Sequence, residues 1–138
     1  MLELGSKPEA PQGDLIKDVS EADFMAEVVD RSQEVPVIVD FWAPWCGPCK
    51  QLGPALEAAV TAARGAVVMA KVNVDEAQMI ASQLRIQSIP TVYAFYKGQP
   101  VDGFQGALPA SELKAFIDRV VQVSGGDASG GLDEAVAA

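Results

Sequence analysis

The chain has 138 residues, of which 49% are apolar and 21% charged, a composition that fits one soluble globular domain. Ten basic residues stand against nineteen acidic ones, and this net charge of −9 argues against nucleic acid as a partner, because nucleic acid binds basic stripes. No apolar run reaches the roughly 18 residues of a membrane span, so we expect no membrane partner either.

The amino-terminal segment predicts where the protein works. Residues 1–14 contain two prolines, two glycines and little apolar periodicity, which indicates a flexible leader. Their acidic residues and the missing apolar stretch are not typical of a signal peptide, so we expect a cytoplasmic location. In that reducing compartment a pair of nearby cysteines is more often catalytic or metal-binding than structural.

Strand and helix patterns alternate through the predicted domain, residues 15–123. The predicted elements are an edge strand at 15–19, a helix at 20–32, a strand at 37–42, helices at 46–63 and 75–84 around a strand at 66–74, a hairpin of strands at 91–96 and 101–105, and a helix at 109–123. Helices between strands indicate parallel pairing, and the hairpin adds antiparallel strands to one edge. The fold class is therefore α/β with a mixed sheet.

The composition changes abruptly after residue 123. Residues 124–131 are rich in glycine and serine, which is typical of a flexible linker. Residues 132–138 then resemble the start of a helix. We therefore predict a linker and the beginning of a further helix at residues 124–138.

Two cysteines, Cys46 and Cys49, are the only ones in the chain and lie where a strand pattern changes to a helix pattern. Their spacing brings two sulfurs within bonding reach across one helical turn. A structural disulfide closing so short a loop would contribute only roughly 2 kcal/mol and would be reduced in the cytoplasm. A zinc site normally needs four ligands, and this chain has two cysteines and no histidine. The pattern favours a redox-active dithiol with no metal.

Position within the motif predicts a role for each of its residues. Cys46, at the helix start, should be the more exposed thiol and the nucleophile, because helix dipoles favour a thiolate there. Cys49, one turn in, should be buried and act as the resolving thiol. Pro48 would stiffen the turn, and Gly47 would let a substrate backbone approach closely. Trp45 either packs at the rim or forms a platform for the substrate.

Asp40 is the only charged residue in the apolar run at residues 37–42. It lies either at a strand end that reaches solvent or in the interior, where a carboxylate without a partner is costly. In the second case burial would raise its pKa, and the carboxyl would pass a proton to or from Cys49. Lys71, inside the next predicted strand, is the natural counter-charge.

Three segments, residues 40–50, 71–75 and 89–91, resemble thioredoxin motifs in order and spacing. The resemblance extends over about residues 15–122. It implies the thioredoxin fold, a three-layer α/β/α arrangement with a central mixed sheet. It also implies a cis peptide bond before Pro90, where residue-level reasoning alone favours a trans proline in a turn.

The resemblance also implies an activity and its partners. The protein would reduce disulfides in protein substrates, receive electrons from a thioredoxin reductase, and need no cofactor besides its own cysteine pair. Asp40 and Lys71 would handle protons for this pair. The residues expected to contact the substrate are Trp45, Gly47, Pro48, Ile89, Pro90 and Gly106.

A second resemblance is narrower. Residues 98–106 resemble the corresponding hairpin in the thioredoxin-like domain of bacterial co-chaperones called chaperedoxins, in which a helical tetratricopeptide-type region follows. The glycine-rich segment at 124–138 suits such an arrangement. This resemblance implies a chaperonin as a partner, and an alternative function as a docking module for clients or a chaperonin with secondary redox activity.

Overall fold

The computed structural model describes the backbone of residues 15–136 and the side chains of residues 15–124. The predicted leader at residues 1–14 lies outside the described residues. The strands are β1 (Ile16–Asp18), β2 (Val37–Trp42), β3 (Val68–Asn73), β4 (Thr91–Tyr96) and β5 (Gln99–Gln105). The regular helices are α1 (Gly47–Ala62), α2 (Gln78–Gln83) and α3 (Ala110–Val136).

The five strands form one mixed sheet in the order β1-β3-β2-β4-β5. β1 and β2 both pair with β3 in parallel, whereas β4 pairs antiparallel with β2 and with β5. The predicted parallel portion and antiparallel hairpin are therefore confirmed. β2 lies at the centre of the sheet, and its register places Asp40 beside Lys71 of β3.

Each face of the sheet buries its own apolar cluster. Side chains alternate along a strand, so Ile38 packs with α1 and α3, whereas Val37, Val39 and Phe41 pack with the helical segments on the opposite face. This confirms the three-layer α/β/α arrangement. The same alternation places Asp40 on the face of Ile38, which is the face that α1 covers.

The carboxy-terminal helix packs as its periodicity predicts. Leu113, Phe116, Ile117 and Val120 are each at most 3% exposed and belong to the cluster between the sheet and α1. The ring of Phe116 contacts that of Phe104 edge to face, with centroids 4.9 Å apart. This packing anchors the amino-terminal part of α3.

Two elements differ from their prediction in kind rather than in their bounds. Residues 20–32 were predicted as one helix, but they form a π-helical segment at Met25–Asp30 and a 3₁₀ turn at Arg31–Gln33. The buried Ser32 hydroxyl donates to the carbonyl of Val29 at 2.7 Å and accepts the N–H of Gly98 at 2.9 Å. These bonds compete with regular helical bonding and tie the segment to the β4–β5 turn.

The second difference lies in α3, which continues through residues 124–131, where the sequence predicted a linker. Glycine carries a helix-interior penalty of about 1 kcal/mol relative to alanine, but it meets no steric barrier there. Extending an existing helix needs no new nucleus, so the packed first half of α3 supports its continuation. The division of the chain near residue 124 stays a prediction.

Candidate active site

The cysteine motif forms the amino-terminal end of α1. Cys46 occupies the N-cap position with extended backbone, and its Sγ accepts the N–H of Cys49 at 3.2 Å. Pro48 lies in the first turn, where the missing N–H leaves no helical bond unmade. Free N–H groups and the helix dipole therefore point at the Cys46 sulfur and favour a negative charge on it.

The two cysteines form a disulfide, with Cα atoms 5.3 Å apart. Cys46 is 4% exposed and Cys49 is 6% exposed, so the prediction that Cys46 is the more exposed of the two is wrong for this disulfide state. Both sulfur-bearing residues pack against an apolar group that includes Ala43, Trp42 and Ile89. Helix position rather than exposure therefore distinguishes the two residues.

Trp45 lies on the surface beside the cysteines and is 68% exposed. Its Nε1 donates to the two carboxylate oxygens of Asp75 at 3.3 and 3.1 Å. The helix predicted at residues 75–84 does not begin at Asp75, because Ala77 holds the N-cap position of α2 and makes no side-chain cap bond. The N–H of Ile80 in the first turn of α2 instead donates to Glu21 at 2.8 Å.

A second loop approaches the cysteines from β4. The Ile89–Pro90 peptide bond is cis, as the family resemblance implied, and Ile89 packs against the cysteine pair. Gly106 donates its N–H to the carbonyl of Pro90 at 2.9 Å. Gly106 has φ +84°, a conformation that favours glycine. Three of the predicted substrate-contact residues are thus held together by backbone bonding.

Asp40 is buried beneath α1, with 2% of its surface exposed. The alternative of a strand end in solvent is therefore excluded. Its Oδ1 finds no hydrogen-bond partner among the described residues. Burial raises the pKa of Asp40 to about 6, against a lowering by Lys71 and a further raising by Glu57. The prediction of a buried carboxyl with a raised pKa is confirmed.

A pocket of about 220 Å³ lies beside Asp40, and Cys49, Gly53, Glu57 and Lys71 contribute to its lining. The Nζ of Lys71 lies 2.9 Å from Oε2 of Glu57 and donates a hydrogen bond to it. This bond, more than any other contact, raises the pKa of Lys71. The predicted counter-charge to Asp40 is thus bonded to another acid.

Glu57 is the residue of this group that the sequence analysis missed. Cys49, Gly53 and Glu57 follow one another at intervals of four residues in α1, so they share one face of that helix. The same face covers Asp40 in β2. This spacing is the signal in the sequence from which Glu57 could have been found.

Comparison with known proteins agrees with this geometry. The family model described as Thioredoxin matches residues 15–119. The chain belongs to the thioredoxin family. It is 48% identical over 99 residues to a protein named "Probable thioredoxin-2" from Caenorhabditis elegans. The matched region is 72% of this chain and 67% of that protein.

Two further relatives are matched over most of their length. Thioredoxin 1 from a Nostoc species is 43% identical over 101 residues, 73% of this chain and 92% of the relative. Thioredoxin from Porphyra purpurea is 37% identical over 106 residues, 77% of this chain and 97% of the relative. The family model's match at residues 15–119 covers the sheet, the cysteine pair and the cis-proline loop.

Membership in the thioredoxin family identifies the chain as a thiol–disulfide oxidoreductase that reduces protein disulfides through Cys46 and Cys49. Its partners are of the kind that thioredoxins have, namely proteins with disulfides and a thioredoxin reductase. Thioredoxins need no cofactor, and among the described side chains of residues 15–124 no three His, Cys, Asp or Glu group as a metal site would require. Across the same residues, every helix is too short or too polar to cross a membrane.

Proposed function

We propose that Cys46 attacks the substrate disulfide and that Cys49 resolves the resulting mixed disulfide. The observation that carries this assignment is the place of Cys46 as the N-cap of α1, where its sulfur accepts a helix N–H. That environment favours a thiolate at Cys46 in the reduced protein. Cys49 lies one turn deeper and lines the pocket that also contains Asp40.

The reaction proceeds in two exchanges. The Cys46 thiolate bonds to one substrate sulfur, the substrate S–S bond breaks, and the released sulfur takes up a proton. Cys49 then gives its proton to Asp40 and attacks the Cys46 sulfur. The protein disulfide forms, and the second substrate sulfur leaves and is protonated. The protein loses two electrons and the Cys49 proton, solvent supplies the other proton that the substrate takes up, and a thioredoxin reductase returns the electrons.

Asp40 acts in the second exchange as the proton acceptor for Cys49. A base is most effective when its pKa lies near the working pH, and burial brings the pKa of Asp40 to about 6. The carboxyl also lines the same pocket as Cys49, with an oxygen that is not occupied by another described residue. Lys71 is the neighbour of Asp40 in the sheet, and its positive charge lowers the pKa of this carboxyl.

Replacing Asp40 by asparagine should slow the resolving step roughly tenfold to a hundredfold near neutral pH, because the amide cannot accept the proton. Rapid quenching and gel separation of the mixed disulfide between about pH 6 and 8 measure this step. The matched control is Asp118→Asn, since Asp118 lies on the outer surface of α3 with its side chain 58% exposed. Wild-type kinetics for Asp40→Asn over this pH range would remove the proposed role.

The substrate is proposed to lie across Trp45, Gly47, Pro48 and the loop that contains Ile89, Pro90 and Gly106. Trp45, Gly47 and Pro48 are exposed on one side of the cysteines, and no atom lies within 4 Å of the position where Gly47 would carry a Cβ. Ile89 borders the cysteines on another side. An extended peptide between them would present a disulfide sulfur to Cys46.

The finer proposal, suggested by the sequence of residues 98–106, is a cytoplasmic co-chaperone domain that also docks a chaperonin. Residues 98–106 form the end of the β4–β5 turn and β5, at an edge of the sheet. A Cys46→Ser variant separates the two activities in a pull-down with purified chaperonin. Retained chaperonin binding without disulfide reduction supports two functions, and absence of binding by the wild-type protein contradicts the docking function.

A further inference from the structure

Glu57 contacts the proton-handling group of the active site without touching the cysteines. We propose that Glu57 is a positioning residue for the resolving step: it holds the Lys71 ammonium away from Asp40 and so leaves the Asp40 carboxyl free to exchange a proton. This inference depends on the proposed role of Asp40 as the proton acceptor for Cys49. It assigns a function to a residue outside the cysteine motif.

The hydrogen bonds show which acid Lys71 contacts. Asp40 and Lys71 are direct neighbours in the parallel register of β2 and β3, so the ammonium lies close enough to interact with the Asp40 carboxyl. Its Nζ nevertheless bonds to Glu57 at 2.9 Å, and within the described part of the chain Oδ1 of Asp40 has no partner. The Lys71 ammonium is therefore bonded to Glu57 and not to Asp40.

The burial of the three side chains follows from this arrangement. Lys71 and Glu57 are 29% and 34% exposed, whereas Asp40 is 2% exposed. The ion pair lies where water still solvates it, and Asp40 remains inside. An ammonium in direct contact with Asp40 would lower the pKa of this carboxyl into its ordinary range or below. The bond to Glu57 prevents that contact.

The pocket connects these groups in space. Its volume of about 220 Å³ lies between Cys49, Asp40 and the Glu57–Lys71 pair. Gly53 lines it from α1, and no atom lies within 4 Å of where a Gly53 Cβ would be. This space is large enough for water. A proton on Asp40 therefore has a route toward the partly exposed Glu57 and Lys71.

Other charged groups around Asp40 are few, and each has a defined position. The titratable or charged residues that line the pocket with Asp40, or that act on Lys71, are Lys71 of β3, Cys49, Lys50 and Glu57 of α1, and Asp18 of β1. The charge of Asp18 raises the pKa of Lys71, whereas the charge of Glu57 raises the pKa of both Lys71 and Asp40. Glu57 is thus the acid best placed to control how strongly the Lys71 ammonium attracts the Asp40 carboxylate.

The test replaces Glu57 by glutamine in the full chain. Carboxyl NMR of the disulfide form follows the titration of Asp40, and quenched kinetics follow the resolving step. We expect Asp40 to titrate at lower pH, because the repelling charge is lost and Lys71 is released. At about pH 7 Asp40 is already mostly ionised, so its weaker basicity dominates and resolution slows roughly threefold, while the attack by Cys46 is unchanged.

Two further variants make the test specific. Glu34→Gln removes the same charge from an exposed residue at the amino end of β2 and should leave both readouts unchanged. In a Lys71→Gln background, Glu57→Gln should shift the Asp40 titration much less than in the wild type. An equal shift in both backgrounds, or no shift in the wild type, would overturn the proposal.

The two readouts also separate this inference from the function on which it depends. The NMR titration is made on the disulfide form and requires no turnover. A shifted Asp40 titration with unchanged resolution would retain the link between Glu57 and Asp40 but contradict Asp40 as proton acceptor, and with it the positioning role. An unshifted titration with slower resolution would contradict the link alone.

Discussion

Replacing Cys46 by serine should lower the rate of protein-disulfide reduction at least about a hundredfold, because a serine hydroxyl is not ionised at neutral pH and cannot form the mixed disulfide. The N-cap position that favours a thiolate sulfur gives no comparable advantage to a hydroxyl. The measurement is thiol release from a disulfide-containing test protein, with a chemical dithiol as electron donor. The folded state should be retained, since the change is small.

The matched control is Cys49→Ser, which removes the resolving thiol and leaves the nucleophile. This variant should attack the test protein once and then accumulate as a covalent adduct through Cys46. Non-reducing gels and mass spectrometry of the adduct identify the bonded residue. An adduct formed through Cys49 in the Cys46→Ser protein, or wild-type turnover by that protein, would reverse the assignment of the two cysteines.

Replacing Asp40 by asparagine should stabilise the disulfide form by about 3 kcal/mol at about pH 8, although it slows the reaction. The pKa of Asp40 is about 6 in the folded protein, against 3.8 for an ordinary aspartate. The folded protein therefore holds this proton more tightly than the unfolded chain. Stability is full below the ordinary pKa and declines as the pH rises toward 6. Asparagine does not ionise, so it avoids this decline.

Urea unfolding of the oxidised proteins at about pH 4 and pH 8 tests this prediction. The gain should appear at the higher pH and be small at the lower one, where Asp40 is protonated in the folded protein and partly protonated in the unfolded chain. Asp118→Asn should change the stability by less than about 0.5 kcal/mol at either pH, because its side chain is solvated. An equal gain at both pH values would show that packing rather than charge is responsible.

The opposite signs expected for Asp40→Asn have a physical explanation. A buried carboxylate destabilises the fold, and the same burial brings its pKa close to neutral pH, where proton exchange with Cys49 is effective. The folded protein thus loses stability at a site where its function needs a carboxyl with a raised pKa. The pair of measurements on this variant therefore tests one cause by two independent results.

Local features of the sequence predicted the elements that carry the site. Strand β2 has the predicted bounds, because a nearly continuous apolar run, here between Pro36 and Pro44, is typical of a central strand. The start of α1 was predicted from Cys46 and Pro48, since a helix N-terminus depends on its own first residues. The odd position of Asp40 in an apolar strand indicated either a strand end in solvent or a buried carboxyl, and only the structure decides for burial.

Contacts between distant residues could not be predicted in this way. The bond between Lys71 and Glu57 depends on how α1 lies across the sheet, and that between Trp45 and Asp75 joins residues 30 apart in the chain. The burial of Cys46 in the disulfide form depends on its packing with Ala43, Trp42 and Ile89. These features follow from tertiary packing rather than from local propensity.

The central claim is that the amino-terminal end of α1 holds the Cys46 sulfur as an anion in the reduced protein. Alkylation of the reduced chain by iodoacetamide over about pH 5 to 9, with mass spectrometry of each cysteine, measures this directly. Cys46 should react far faster than Cys49, and its rate should level off at a lower pH than that of free cysteine. Equal reaction at both cysteines, rising together up to about pH 8.5 as for free cysteine, would contradict the account.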